Sequence, residues 1–122
     1  MFGRDNTATG FGWVKYQGKI HQEDIIILAS GEVMRRDSDE IMRKYGTMKA
    51  ISLNEMNLLL SGNPEVIVVG TGQTDAEALR LPPEALDALN KSNSRLVQGS
   101  SPKAVKYLDQ FSGTKAALIH VK

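Results

Sequence analysis

The stretch Val66-Ile67-Val68-Val69-Gly70-Thr71-Gly72-Gln73 decides the fold. Four β-branched residues in a row read as a strand buried on both faces, the habit of strands in parallel sheets. A turn rich in glycine and hydroxyl groups ends it. In open α/β sheets, ligands sit beyond the carboxyl ends of such strands. The stretch therefore marks where a site can lie without naming a reaction.

Working outward, Pro82-Pro83-Glu84 opens a short helix with Leu86 and Leu89 facing inward. Arg95-Leu96-Val97-Gln98 is a strand. Ser101-Pro102 starts another helix, with serine as the cap and proline in the first turn. Val105, Leu108 and Phe111 form its buried stripe, and residues 116–121 form a terminal strand. This half is strand–helix–strand–helix–strand, which favours parallel pairing. Just upstream, Ser52-Leu53-Asn54-Glu55 is a capping box. Leu53, Met56, Leu59 and Leu60 then share one helix face, and Gly62 suits the left-handed position after the helix.

The amino-terminal third reads as an antiparallel meander. Residues 11–16 make a strand, Ile20 lies on its return, residues 24–29 make a second strand and residues 32–35 a third. The meander either makes the central sheet mixed or splits off as a second layer. Residues 36–50 show no clean period and read as an irregular segment, the kind of long loop that often carries function.

Composition sets outer limits. The 122 residues fit one domain, residues 1–122, with the first ten expected to be flexible. Hydrophobic residues make up 41% and charged residues 24%, as in ordinary soluble proteins. The absence of cysteine excludes disulfides, thiolate nucleophiles and cysteine zinc sites, and fits a reducing compartment. No apolar run approaches the roughly 18 residues of a membrane span, and the first residues lack a signal or transit pattern. The expectation is a cytoplasmic protein. A net charge of +1 disfavours nucleic acid as a partner.

Several segments resemble a known family. They are Phe11-Gly12 with Tyr16-Gln17-Gly18, then Asp24-Ile25-Ile26-Ile27, then Val66-Ile67-Val68-Val69-Gly70-Thr71-Gly72. Leu81-Pro82-Pro83-Glu84, Ser101-Pro102-Lys103-Ala104-Val105-Lys106-Tyr107-Leu108 and Lys115-Ala116-Ala117-Leu118-Ile119-His120-Val121 continue the series. In order and spacing they resemble the small single-domain family that includes mitochondrial complex I assembly factor 3 and the adipogenesis-associated domain protein. Arg43-Lys44-Tyr45-Gly46-Thr47 looks like its uncharacterised archaeal members. The resemblance implies a three-layer α/β fold with a mixed central sheet, and no established enzymatic activity. The chain departs from the family pattern at Val33-Met34-Arg35-Arg36-Asp37 and at Leu108, so roles held by other residues there do not carry over.

The candidate chemistry is sparse. Gly70, Thr71, Gly72 and Gln73 could cradle an anion through successive N–H groups. The dinucleotide fingerprint fails, because position 75 is Asp75 and no acid ends the next strand. Ser100 and Ser101 form a second anion candidate where a helix begins directly after a strand. If the two strands are parallel, both loops open on one edge. Neither serine sits in a nucleophile elbow, and the only histidines are His21 and His120, the latter read as structural. Asp37, Asp39 and Glu40 lack the rest of a calcium loop. No cofactor and no metal is expected. Residues 35–49 carry five positive and three negative residues, with Arg35 and Arg36 able to meet an anion and Met42 and Met48 suited to a protein interface. The leading expectation is a non-catalytic binding or assembly module holding a protein or a small anionic ligand, with a homodimer compatible. The alternative is a small enzyme acting on a phosphorylated or carboxylated metabolite at the strand-end loops.

Overall fold

The computed structural model describes residues 7–73 and 77–122. Asp75 and residues 1–6 lie outside the described residues. The chain forms β1 (Ala8–Gly10), β2 (Trp13–Tyr16), β3 (Lys19–His21), β4 (Ile25–Ile27), β5 (Val33–Arg35), α1 (Ser38–Tyr45) and α2 (Leu53–Leu60). It continues with β6 (Val66–Gly70), α3 (Pro83–Asn90), β7 (Arg95–Gly99), α4 (Ser101–Gln110) and β8 (Lys115–Ile119).

The strand β6 is buried along its whole length, as its β-branched run requires. It lies between β7 and β8 and is parallel to both. The five-stranded sheet has the order β5-β4-β8-β6-β7, with β4 antiparallel to β8 and β5 antiparallel to β4. Alternate residues feed two cores. Val66, Val68, Ala117, Ile119, Ile25 and Ile27 meet Val14 and Tyr16 of β2 and Ala104, Val105 and Leu108 of α4. Ile67, Val69, Leu118 and Ile26 meet Met56 and Leu59 of α2 and Ala85 and Leu89 of α3. The molecule is thus mixed α/β, with its central sheet covered on both faces.

The meander divides. β1, β2 and β3 form a separate antiparallel sheet, while β4 and β5 join the large sheet as a hairpin. Ala8–Gly10, inside the segment expected to be flexible, is a strand. Trp13 is paired with Gly10, and a Cβ there would lie 2.5 Å from the indole Nε1, so the ring lies against the glycine backbone.

Three local expectations need correction. Part of the segment read as irregular is the helix α1. It buries only Ile41, so no apolar period marks it. Its signals are polar: Asp37 caps the Glu40 N–H, acids fill the first turn, basic residues fill the last, and Gly46 closes it in the left-handed region. In α3, Ala85 and Leu89 take the single inward stripe and Leu86 is 41% exposed. In α4 the cap position belongs to Ser100, and Ser101 is the first helical residue.

Candidate functional site

Register brings one end of the large sheet into line. Arg35, Ile25, Ile119, Gly70 and Gly99 stand abreast across all five strands. The next residue along each chain path at that edge is Arg36, Asp24, His120, Thr71 and Ser100. All five are buried, although none is apolar. Buried polar groups need partners, and the two halves of this row find them differently.

On the β6–β7 side the loops close on each other. Thr71 N–H donates to Gly99 C=O at 2.9 Å, and Ser101 N–H donates to Gly72 C=O at 2.6 Å. The Ser101 hydroxyl accepts the Gly72 N–H at 3.1 Å and donates to the His120 carbonyl. His120 N–H donates to Gly70 C=O at 2.9 Å. A Cβ on Gly70 would lie 2.7 Å from Ser101 Oγ and 3.0 Å from its Cα, so only glycine permits this approach. The N–H groups of Thr71, Gly72 and Ser101 therefore have partners inside the protein. Gln73 reaches sideways to Thr9 Oγ1 at 3.2 Å and to Val121 C=O at 3.3 Å. Ser100 makes no side-chain cap bond, and the buried Thr71 hydroxyl has no hydrogen-bond partner among the described residues.

On the β4–β5–β8 side, charge does the closing. Asp24 Oδ2 lies 2.7 Å from His120 Nδ1 and accepts the Ser38 hydroxyl at 3.1 Å. Asp24 Oδ1 accepts the Val121 N–H at 2.9 Å. Arg36, with its side chain wholly buried, donates from Nε to Glu55 Oε2 at 2.6 Å and from Nη2 to Glu55 Oε1 at 3.2 Å. Its Nη1 donates to Met48 C=O at 2.8 Å and lies 3.5 Å from Asp24 Oδ2, and its Nη2 also donates to Ala50 C=O. Glu55 meanwhile completes the capping box with Ser52. The cap read from sequence is thus also the counter-ion of a buried arginine.

Burial pushes the Asp24 carboxyl up, but the His120 contact, the Val121 N–H and the charges of His120 and Arg36 outweigh it. The carboxyl is held below its ordinary value. It is an anion at neutral pH, and acceptor-only.

Above this network lies a cleft of about 290 Å³, walled by Asp24, Arg36, Ser38, Met48 and His120, with Arg35 and Lys122 on its lining. Arg35 points outward, 72% exposed, in a surface pair with Glu23 at 3.2 Å. Of the residues singled out in the sequence, Arg35 and Arg36 meet at this cleft. Gly70, Thr71, Gly72, Gln73, Ser100 and Ser101 lie at the neighbouring, closed half of the same edge. Asp24, His120 and Glu55 are the residues whose part sequence reasoning missed. The available signal was an ionisable residue set against an apolar run: Asp24 before Ile25-Ile26-Ile27, and His120 after Leu118-Ile119. No group of residues suited to a metal ion occurs among the described residues. None of the described helices is long and apolar enough to cross a membrane.

Residues 6–116 match a family described as "Protein of unknown function (DUF498/DUF598)". The chain belongs to this family. A conserved hypothetical protein from Pyrococcus horikoshii OT3 is similar at 29% identity and a TM-score of 0.79, over 93% of this chain and 95% of that one. A protein called MT938 is similar at 27% identity and a TM-score of 0.71, over 95% and 98% of the two chains. An outer membrane protein from Bartonella henselae shares the fold at 24% identity and a TM-score of 0.61, over 98% and 96%. No curated protein matches.

Proposed function

We propose that this family member is a non-catalytic binding or assembly module that docks a protein partner on the outer face of the β1–β3 sheet. The observation that carries the reading is the pair Phe11 and Ile20, 74% and 59% exposed, flanking Trp13 around one shallow depression. Large apolar side chains scattered singly need no explanation, but a group that includes two aromatics is the composition of an interface centre. The resemblance to the family of mitochondrial complex I assembly factor 3 and the adipogenesis-associated domain protein points the same way, as an analogy of fold. In this reading the chain acts as a single domain in the cytoplasm, and a second copy is one partner the face could take.

The test is a Phe11→Ser, Ile20→Lys double variant. It should keep the wild-type melting temperature and lose both self-association by light scattering and the partners captured from cells of the source. Retention of the same partners by the variant ends this reading.

A second reading is favoured by the Asp24–His120 pair beside a cleft: a small enzyme acting on a phosphorylated or carboxylated metabolite. In that case Arg35 supplies charge to the substrate, and the adjoining loops at Gly70, Thr71, Gly72, Gln73, Ser100 and Ser101 fix the geometry of His120. Turnover of phosphate esters lost in His120→Gln would support it.

A further inference from the structure

We propose that the cleft beside His120 binds a small oxyanion, a phosphate or carboxylate group, and takes up a proton at His120 as it does so. This inference shares its cleft with the enzyme reading but requires binding alone.

The argument starts from the tautomer. Ionised Asp24 can only accept hydrogen bonds, and it stands 2.7 Å from His120 Nδ1. Nδ1 therefore carries hydrogen whether the ring is neutral or charged, and the proton that comes and goes belongs to Nε2. Among the described residues no hydrogen bond to Nε2 is found, and His120 is one of the residues that line the cleft. A neutral ring offers a lone pair at Nε2, which an oxyanion repels. A protonated ring offers an N–H, and Asp24 behind it steadies the imidazolium. An anion seated against the ring thus favours the protonated form, and binding draws in a proton.

The surroundings suit one small anionic group. At about 290 Å³ the cleft is at the lower end of the size of ligand sites. Arg36 cannot serve as the ligand's partner, since Glu55, Asp24 and two carbonyls occupy its guanidinium. Arg35, in its surface pair with Glu23, and Lys122 supply the positive charge. Three further acids line the cleft: Glu23 pairs with Arg35, Asp37 caps α1, and Asp39 lies in the first turn of α1. Those acids disfavour large polyanions.

The experiment is a pH titration of the His120 ring by NMR, with and without inorganic phosphate, then with succinate. The chain has only two histidines, so His120→Gln assigns the signal. Phosphate should move the His120 titration to higher pH and leave His21 unchanged. Calorimetry in two buffers of different ionisation enthalpy should show proton uptake on binding. Arg35→Ala should weaken phosphate binding by about tenfold, the worth of one hydrogen bond to a charged group. A response to phosphate alone, or to succinate alone, names the anion. An unchanged His120 titration in both overturns the proposal, and so does equal affinity on either side of the His120 titration. The wild-type titration decides this even where a variant fails to fold. Binding without turnover of phosphate esters would end the enzyme reading and leave this one standing.

Discussion

Two halves of one sheet edge meet the same demand by opposite means. Beyond β6 and β7, the Thr71 and Gly72 N–H groups and the N–H and hydroxyl of Ser101 make a seam of neutral hydrogen bonds, drawn tight because Gly70 has no side chain. Beyond β4, β5 and β8, buried Asp24, Arg36 and His120 are held by charge, and a cleft stays open above them. Neutral donors and acceptors can be sealed away at little cost once paired. Ions need partners on several sides, and long side chains need volume. The charged half leaves a cleft open, while the neutral half holds His120 in place through the Ser101–His120 bond.

The largest effect should come from breaking the charged half. Arg36→Ala leaves Glu55 and Asp24 buried with one partner fewer and should cost about 3–5 kcal/mol in urea unfolding. Arg36→Met combined with Glu55→Leu should cost less than either alone, because the ion pair goes as a whole and Asp24 keeps His120 as its partner. A double cost equal to the sum of the two single costs would mean the pair acts as two independent residues.

Next comes the neutral half. Gly70→Ala places a methyl group against Ser101 and should cost about 1–3 kcal/mol by overpacking. It should also disturb the amide resonances of Gly72 and His120 more than those of β3. A neutral Gly70→Ala would mean that the seam yields easily.

A smaller effect sharpens the contrast through pH. The folded-state pKa of Asp24 is below its ordinary value, so its contribution to stability is present above that ordinary value, about pH 4. It is lost as pH falls through the lower folded value. Thermal melts from neutral pH downward should therefore show a steeper fall in wild type than in Asp24→Asn. Parallel curves would remove Asp24 from the account of acid sensitivity. The smallest effect belongs to the surface: Phe11→Ser alone should change stability by under about 0.5 kcal/mol. A larger loss on thermal melting would show that Phe11 is packed and not a docking residue.

The fold was legible wherever a short local pattern carried it. The run of four β-branched residues marked β6, Ser52 with Glu55 marked the start of α2, and Pro102 marked the first turn of α4. α1 was hidden because one buried residue, Ile41, makes no period. The site was harder to read for a different reason. Arg36 and Glu55 lie 19 residues apart in sequence, and Asp24 and His120 lie 96 apart. Each is brought to its partner by strand order and register, which no local pattern encodes. Ser101 shows the same limit. Its type and place before a proline fitted a cap, but its hydroxyl is claimed by Gly72 and His120.

The position of β8 carries a consequence for how the molecule comes into being. β8, the last of the described strands, lies in the middle of the large sheet, between β4 and β6. As the polypeptide leaves the ribosome, the β4–β5 hairpin and the β6–α3–β7 unit emerge with nothing to join them. Until Lys115–Ile119 arrives, each presents an unpaired edge. Closure is a late, long-range event, and the rate at which the newborn chain assembles should depend on that one insertion.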